Sequence, residues 1–224
     1  MEWKSKPLAE EYKIKVLQKN IGVPFEIANL LIQRGIEDFD AAKNFFRPEL
    51  SDLHDPYLML GMDKAVNRIS TAIANHEKIM VYGDYDVDGT TSVALVFSYL
   101  TAYYPDCIYY IPDRYEEGYG ISKKGIDYAK EEVISLIIAL DCGIKALDNT
   151  TYAKEMGIDF IICDHHLPGA DLPEAVAILN PKQNNCNYPF KDLCGCGIGF
   201  KLIEALTQER GLSFEMILPY IDLV

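Results

Sequence analysis

The chain has 224 residues, 49% hydrophobic and 25% charged, with a mean hydropathy of -0.02, enough for one sizeable domain or a domain with a small helical appendage. A net charge of -13 and a pI near 4.7 speak against holding a phosphate backbone by bulk charge, although acids gathered around a metal and local basic patches remain compatible with such a partner. No apolar run approaches the roughly 18 residues of a membrane span. The start, Met1-Glu2-Trp3-Lys4-Ser5-Lys6, lacks an apolar signal core, so a cytoplasmic protein is expected.

Residues 1–55 read as a helical segment. Ile27, Leu30 and Leu31, then Phe39, Ala42, Phe45 and Phe46, recur at helical spacing, with Gly35 and Pro48 as breakers. Val66, Ile69 and Ile73 continue as an amphipathic helix over 62–75. An alternation follows across 56–224. Apolar runs at 79–83, 107–111, 133–140, 158–163 and 175–179 have the length and Val/Ile/Tyr content of buried strands, and helical patterns lie between them at 90–103, 122–131 and 146–156. A last helix is expected over 198–208. Strand–helix–strand repetition of this kind predicts an α/β fold, a parallel sheet flanked by helices. Of the cysteines, Cys107, Cys142 and Cys163 fall in or beside strands. Cys194 and Cys196 stand closer together than a zinc pair, so reduced core thiols are expected.

Asp84-Tyr85-Asp86-Val87-Asp88-Gly89 follows the first strand directly. Three carboxylates at alternate positions repel one another unless a cation sits among them. Asp141 follows the third strand and Asp164-His165-His166 the fourth, and in parallel sheets ligands bind beyond the carboxyl ends of strands. Each cluster alone has a plain reading: Asp88-Gly89 as a turn, Asp141 as a cap before Gly143, His165 as a loop residue. Three such clusters at one sheet edge point instead to a metal site with oxygen and nitrogen ligands.

In this order, the aspartate triplet, Asp141 in Leu140-Asp141-Cys142-Gly143, and Asp164-His165-His166 resemble the first three motifs of the DHH phosphoesterase superfamily. Residues 111–120 (Ile-Pro-Asp-Arg-Tyr-Glu-Glu-Gly-Tyr-Gly) and 195–202 (Gly-Cys-Gly-Ile-Gly-Phe-Lys-Leu) are similar to segments of its RecJ-type single-strand-specific exonucleases. The chain departs from the pattern twice. Tyr82 stands where many members have a histidine, which implies one tightly and one weakly held cation. The family's fourth motif would follow Val224, so the resemblance implies a domain truncated before it and further C-terminal domains as partners in a longer protein.

The resemblance implies phosphodiester hydrolysis with Mn²⁺ or Mg²⁺, one or two ions, with Asp86, Asp88, Asp141 and His165 as ligands and Asp141 bridging. His166 would contact the scissile phosphate or donate a proton. Asp84 would be an outer ligand, an orienting partner or a helix cap. Arg114 is a candidate phosphate contact, as are Lys123 and Lys124. Gly195 and Gly197 either approach a phosphate at a helix start or serve close packing, and Tyr115 and Tyr119 either stack on bases or pack. The implied activity is a 5′-to-3′ exonuclease on single-stranded DNA in recombination and repair. The alternatives are action on short oligonucleotides or cyclic dinucleotides, or an inactive nucleic-acid-binding fragment.

Overall fold

The structure, a computed structural model, describes residues 4–224 and divides the chain into two compact units, Met1–Leu53 and His54–Val224. The first unit holds α1 (Glu11–Ile21), α2 (Phe25–Ile32) and α3 (Phe39–Phe46). Gly22, in the left-handed conformation, ends α1, and the Asp38 side chain caps α3 by accepting the Ala41 N–H. Its core is Ile14, Leu17, Ala28, Leu31 and Ile32. This corrects the apolar face read from the sequence: Ile27, Leu30, Phe39, Phe45 and Phe46 are exposed, and of that set only Leu31 and Ala42 are buried. The packed face of α2 is rotated by one residue, because Ala28 and Ile32 lie four positions apart on the same stripe as Leu31.

The second unit begins with α4 (Met62–Ala74) and then alternates: β1 (Lys78–Gly83), α5 (Val87–Thr101), β2 (Cys107–Tyr110), α6 (Lys123–Glu131), β3 (Ile134–Leu140), α7 (Leu147–Glu155), β4 (Asp159–Cys163), β5 (Ala177–Leu179) and α8 (Gly195–Glu209). All strand pairs are parallel, in the order β2-β1-β3-β4-β5. Strand residues alternate between two cores. Ile79, Val81, Leu136, Ile138, Leu140, Ile161 and Cys163 pack with α4, α5 and α8. Met80, Tyr82, Ile137, Ala139, Phe160 and Ile162 pack with α6 and α7. Burial on both faces is why the strands read as continuous apolar runs, each large side chain contributing about 1.5–3 kcal/mol. Among the described residues no helix is long and apolar enough to cross a membrane. All six cysteines are free; Cys194 is half-buried and the others are buried.

Two helices start earlier than their apolar periodicity predicts. α5 begins at Val87, so Asp86 is its cap and Asp88 lies in its first turn; α8 begins at Gly195. In both cases a glycine-containing first turn carries no periodic signal, yet tertiary contacts hold it helical.

Register delivers the polar residues to one place. Gly83 pairs with Leu140, and Leu140 with Cys163. The next residue on each strand, Asp84, Asp141 and Asp164, therefore leaves the sheet at a common level, where strand order reverses between β1 and β3.

Candidate metal centre

Asp84 is fully buried at the end of β1. One of its oxygens accepts the Tyr85 N–H at 2.6 Å and the other has no partner. Burial, and then the neighbouring Asp86, raises its carboxyl above the ordinary range. Gly89 has to be glycine here, since a Cβ would overlap the Asp84 backbone carbonyl. Asp86 accepts the Gly89 N–H at 2.9 Å as the cap of α5. Asp88 is tied elsewhere: its two oxygens accept the N–H groups of Gly195 and Cys196, each at 2.7 Å.

Asp141 sits past β3 with a left-handed φ of 59°, uncommon for a residue with a side chain. Its N–H donates to the Cys163 carbonyl at 2.8 Å, which locks the residue across the β3–β4 edge. The carboxylate is 1% exposed, and its Oδ1 has no hydrogen-bond partner. His165 Nε2 lies 3.2 Å from that oxygen, without hydrogen-bond geometry, and 3.7 Å from Asp88 Oδ2. Burial first, then repulsion from Asp88, Asp86 and Asp164, pushes the Asp141 carboxyl up to about 8.

Asp164 opens the third motif, and the sequence gives it no role of its own beyond that cluster. It is 1% exposed, and its Oδ2 accepts the Ile144 N–H at 2.9 Å. Its Oδ1 accepts the backbone N–H of His166 at 3.0 Å and faces His166 Nδ1 at 2.7 Å. That acceptor places the imidazole proton on Nδ1 and leaves Nε2 toward the Tyr119 hydroxyl, 3.3 Å away. Asn180, just past β5, donates to the His166 carbonyl at 2.9 Å. Asn180 follows a strand end, the one signal that could have found it.

Asp141, His165 and His166 bring one donor atom each within 4.8 Å of one another. Carboxylate oxygens with imidazole nitrogen, one oxygen buried and unsatisfied, form a donor set that suits a divalent first-row cation. His166 thus stands in the compact donor group, whereas the sequence reading gave it a catalytic role.

The substrate candidates fall in different places. Arg114 stacks over the Tyr85 ring at 5.4 Å, and Tyr85 meets Tyr119 edge-on at 6.2 Å, beside the first motif. Tyr115 is almost fully exposed. Lys123 lies over Tyr152, and Lys124 pairs with Glu116 at 2.6 Å. Gly195 and Gly197 do not offer free amides, since the first binds Asp88 and the second donates to Cys194 Sγ at 3.2 Å. A cavity of about 330 Å³, lined by Tyr119, Ile121, Ile144, Lys145, Asp164 and His166 among others, opens beside His166.

Residues 78–224 match the DHH family, N-terminal domain. The chain is 44% identical over 200 residues to the single-stranded-DNA-specific exonuclease RecJ of Bacillus subtilis, covering 89% of this chain and 25% of that protein. It is 43% identical over 174 residues to RecJ of Salmonella typhimurium, covering 73% of this chain and 30% of the relative. Among solved structures, an exonuclease RecJ bound to manganese superposes with a TM-score of 0.67 at 32% identity, over 74% of this chain and 41% of that one. RecJ of Thermus thermophilus in complex with Mn²⁺ gives 0.74 at 26% identity, over 96% and 30%. The chain thus spans between a quarter and a third of the length of these curated relatives. With more than half of its residues matched, and with the three motifs gathered at one sheet edge, the chain belongs to the DHH family through that family's N-terminal domain.

Proposed function

We propose that this chain is the metal-bearing part of a single-strand-specific DNA exonuclease, hydrolysing phosphodiesters in the 5′-to-3′ direction. Residues 56–224 form its phosphoesterase domain, preceded by the helical segment 1–55. The observation that carries the reading is the buried, unpartnered Oδ1 of Asp141 facing His165 Nε2 at 3.2 Å, with Asp88 alongside. The names of the relatives supply the substrate class, and the two manganese-bound neighbours support Mn²⁺, with Mg²⁺ as the other candidate.

Asp86, Asp88, Asp141 and His165 would hold the cation. When bound, it lowers the pKa of a coordinated water and screens the charge of the phosphate. The chain's own residues supply the rest. Asp164 fixes the His166 tautomer with the proton on Nδ1, so that Nε2, beside the Tyr119 hydroxyl, is an acceptor that could take a proton from the attacking water. The Arg114–Tyr85–Tyr119 group offers a cation and two ring faces to an unpaired strand, a combination that accepts any base. That activity would place the protein with DNA in the cytoplasm.

The test uses the 224-residue chain with Mn²⁺ and single-stranded oligonucleotides labelled at either end. At most weak mononucleotide release from the 5′ end, lost in Asp141→Asn and His165→Ala together with Mn²⁺ binding, is expected of this part of the enzyme. Cleavage confined to dinucleotides or cyclic dinucleotides would overturn the substrate class, and unchanged Mn²⁺ binding in both variants would overturn the ligand set.

A further inference from the structure

The start of α8 touches two carboxylates from distant segments, Asp88 in the first turn of α5 and Asp141 just past β3. Gly195 N–H and Cys196 N–H donate to the two oxygens of Asp88, each at 2.7 Å, across more than one hundred positions of sequence. On the same turn the bare Cα of Gly195 lies against Asp141. A Cβ there would meet Asp141 Oδ1 at 2.5 Å and its Cβ and Cγ at 2.7 Å.

We propose that the first turn of α8 is a positioning element of the metal centre. The amides of Gly195 and Cys196 orient the Asp88 carboxylate, and the missing side chain at Gly195 leaves the space in which Asp141 stands. The proposal rests on the reading of Asp88 and Asp141 as ligands.

Three observations support it. First, these are bonds to a carboxylate from the amides of a helix start, where the helix dipole favours negative charge, and they are at the short end for N–H donors. Each oxygen takes one N–H and keeps a lone pair for a cation. Second, α8 cannot back away to admit a side chain. Residues 195–207 are all buried, and the Lys201 ammonium, paired with Glu204 on the same helix, ties α8 to the His54 carbonyl at 2.7 Å. Asp141 cannot yield either, being 1% exposed and locked through its N–H to Cys163. Third, the other glycine of the turn differs. A Cβ at Gly197 would meet Leu193 Cδ2 at 3.2 Å and Cys194 Sγ at 3.5 Å, side-chain atoms that can shift, and no metal-site residue. The α8 start is therefore filled by Asp88, which removes Gly195 as a phosphate contact.

The experiment measures Mn²⁺ affinity of the whole chain by calorimetry, with folding followed by circular dichroism and thermal melting. Groups that orient metal ligands typically change affinity by about 10–100-fold. Gly195→Ala is expected to weaken Mn²⁺ binding at least about tenfold, while Gly197→Ala stays within about threefold of the parent. Cys196→Pro, tolerated in a first helical turn, deletes one amide donor and is expected to weaken binding about tenfold. Cys196→Ala, which keeps the amide, is not. Parental affinity in both Gly195→Ala and Cys196→Pro would overturn the proposal while leaving the ligands in place. An unmutated chain that binds no Mn²⁺ would overturn the ligand reading, and the proposal with it. Where both variants fail to fold, the Gly195 and Cys196 amide-proton resonances of the unmutated chain decide: both shift on Mg²⁺ addition, and resonances that stay put overturn the proposal.

Discussion

His165 Nε2 stands 3.2 Å from the buried Oδ1 of Asp141, and the two residues leave adjacent strands whose ends, Cys163 and Leu140, are register partners. The site is thus built by the sheet, and its charge is concentrated where water is excluded. The Asp141 carboxyl, ordinarily at 3.8, is raised to about 8 by burial and by Asp88, Asp86 and Asp164. Folded, it binds a proton more tightly than it does unfolded. In the metal-free chain its contribution to stability is therefore complete below the ordinary value and is lost as pH rises toward 8. A cation must displace that proton, so Mn²⁺ affinity should climb across the upper part of the same window, by up to about tenfold per pH unit. Calorimetry at several pH values, paired with thermal melts in chelator, checks both trends. An affinity that stays flat would contradict this account of Asp141.

Asp164→Asn separates orientation from ligation. Asp164 Oδ1 serves His166 through both its backbone N–H and Nδ1, and Oδ2 takes the Ile144 amide. An amide cannot accept at both ends, so one buried donor loses its partner, at about 1–3 kcal/mol in stability. The His166 ring also loses the acceptor that fixes its tautomer, and cleavage should fall about 10–100-fold. Mn²⁺ affinity should change by no more than a few-fold, since Asp164 bonds His166 and the Ile144 amide and none of the proposed ligands Asp86, Asp88, Asp141 and His165. Equal losses in affinity and in rate would instead make Asp164 part of the ligand set.

The fold and the main polar clusters are legible in the sequence because parallel strands buried on both faces leave unbroken apolar runs, and because each cluster follows one of them directly. Asp88 shows what is not legible. Its spacing marks it as a ligand, but its two bonds to the start of α8 arise from packing between distant segments. Gly195 likewise reads as a flexible phosphate-loop glycine, whereas the structure gives it a steric reason, the Asp141 side chain. Asp164 is visible as a member of the third motif, but only the geometry shows that it aims the His166 ring.

Tyr82→Phe tests what the residue in the histidine position does. The Tyr82 ring stacks on Tyr110 at 5.4 Å, and its hydroxyl donates to the Gly120 carbonyl at 2.9 Å while accepting the Ser122 N–H at 3.1 Å. That hydroxyl pins the segment leading into α6 and is wholly buried. Its removal leaves the buried Ser122 N–H and the half-buried Gly120 carbonyl without this partner, which should cost about 1–3 kcal/mol. Thermal melting should therefore fall by several degrees, roughly 2–4 °C per kcal/mol for a chain of this size. Mn²⁺ affinity should stay within about twofold. A large loss of Mn²⁺ binding with unchanged melting would show that Tyr82 serves the metal rather than the backbone.

Lys201 offers a test of the support beneath α8. It is 3% exposed, and its ammonium donates to the His54 carbonyl and to Glu204, which is itself 6% exposed. Burial raises the Glu204 carboxyl, and Lys201 opposes that shift. Lys201→Met leaves a buried carboxylate with no counter-charge, a change that typically costs about 3–5 kcal/mol. Without the ammonium the Glu204 carboxyl rises further, so the folded chain takes up a proton there that the unfolded chain releases near the ordinary value of 4.5. The destabilisation should therefore be small in acid and grow as pH rises through neutrality. Adding Glu204→Leu removes the uncompensated charge and should restore most of the lost stability, because buried ion pairs are often replaceable by apolar residues of similar volume. Melting temperatures of the single and double variants in acid and at mildly alkaline pH check this. A loss in Lys201→Met that is the same at both pH values, or that Glu204→Leu does not relieve, would mean that the lost bond to the His54 carbonyl, rather than the stranded Glu204 charge, sets the cost.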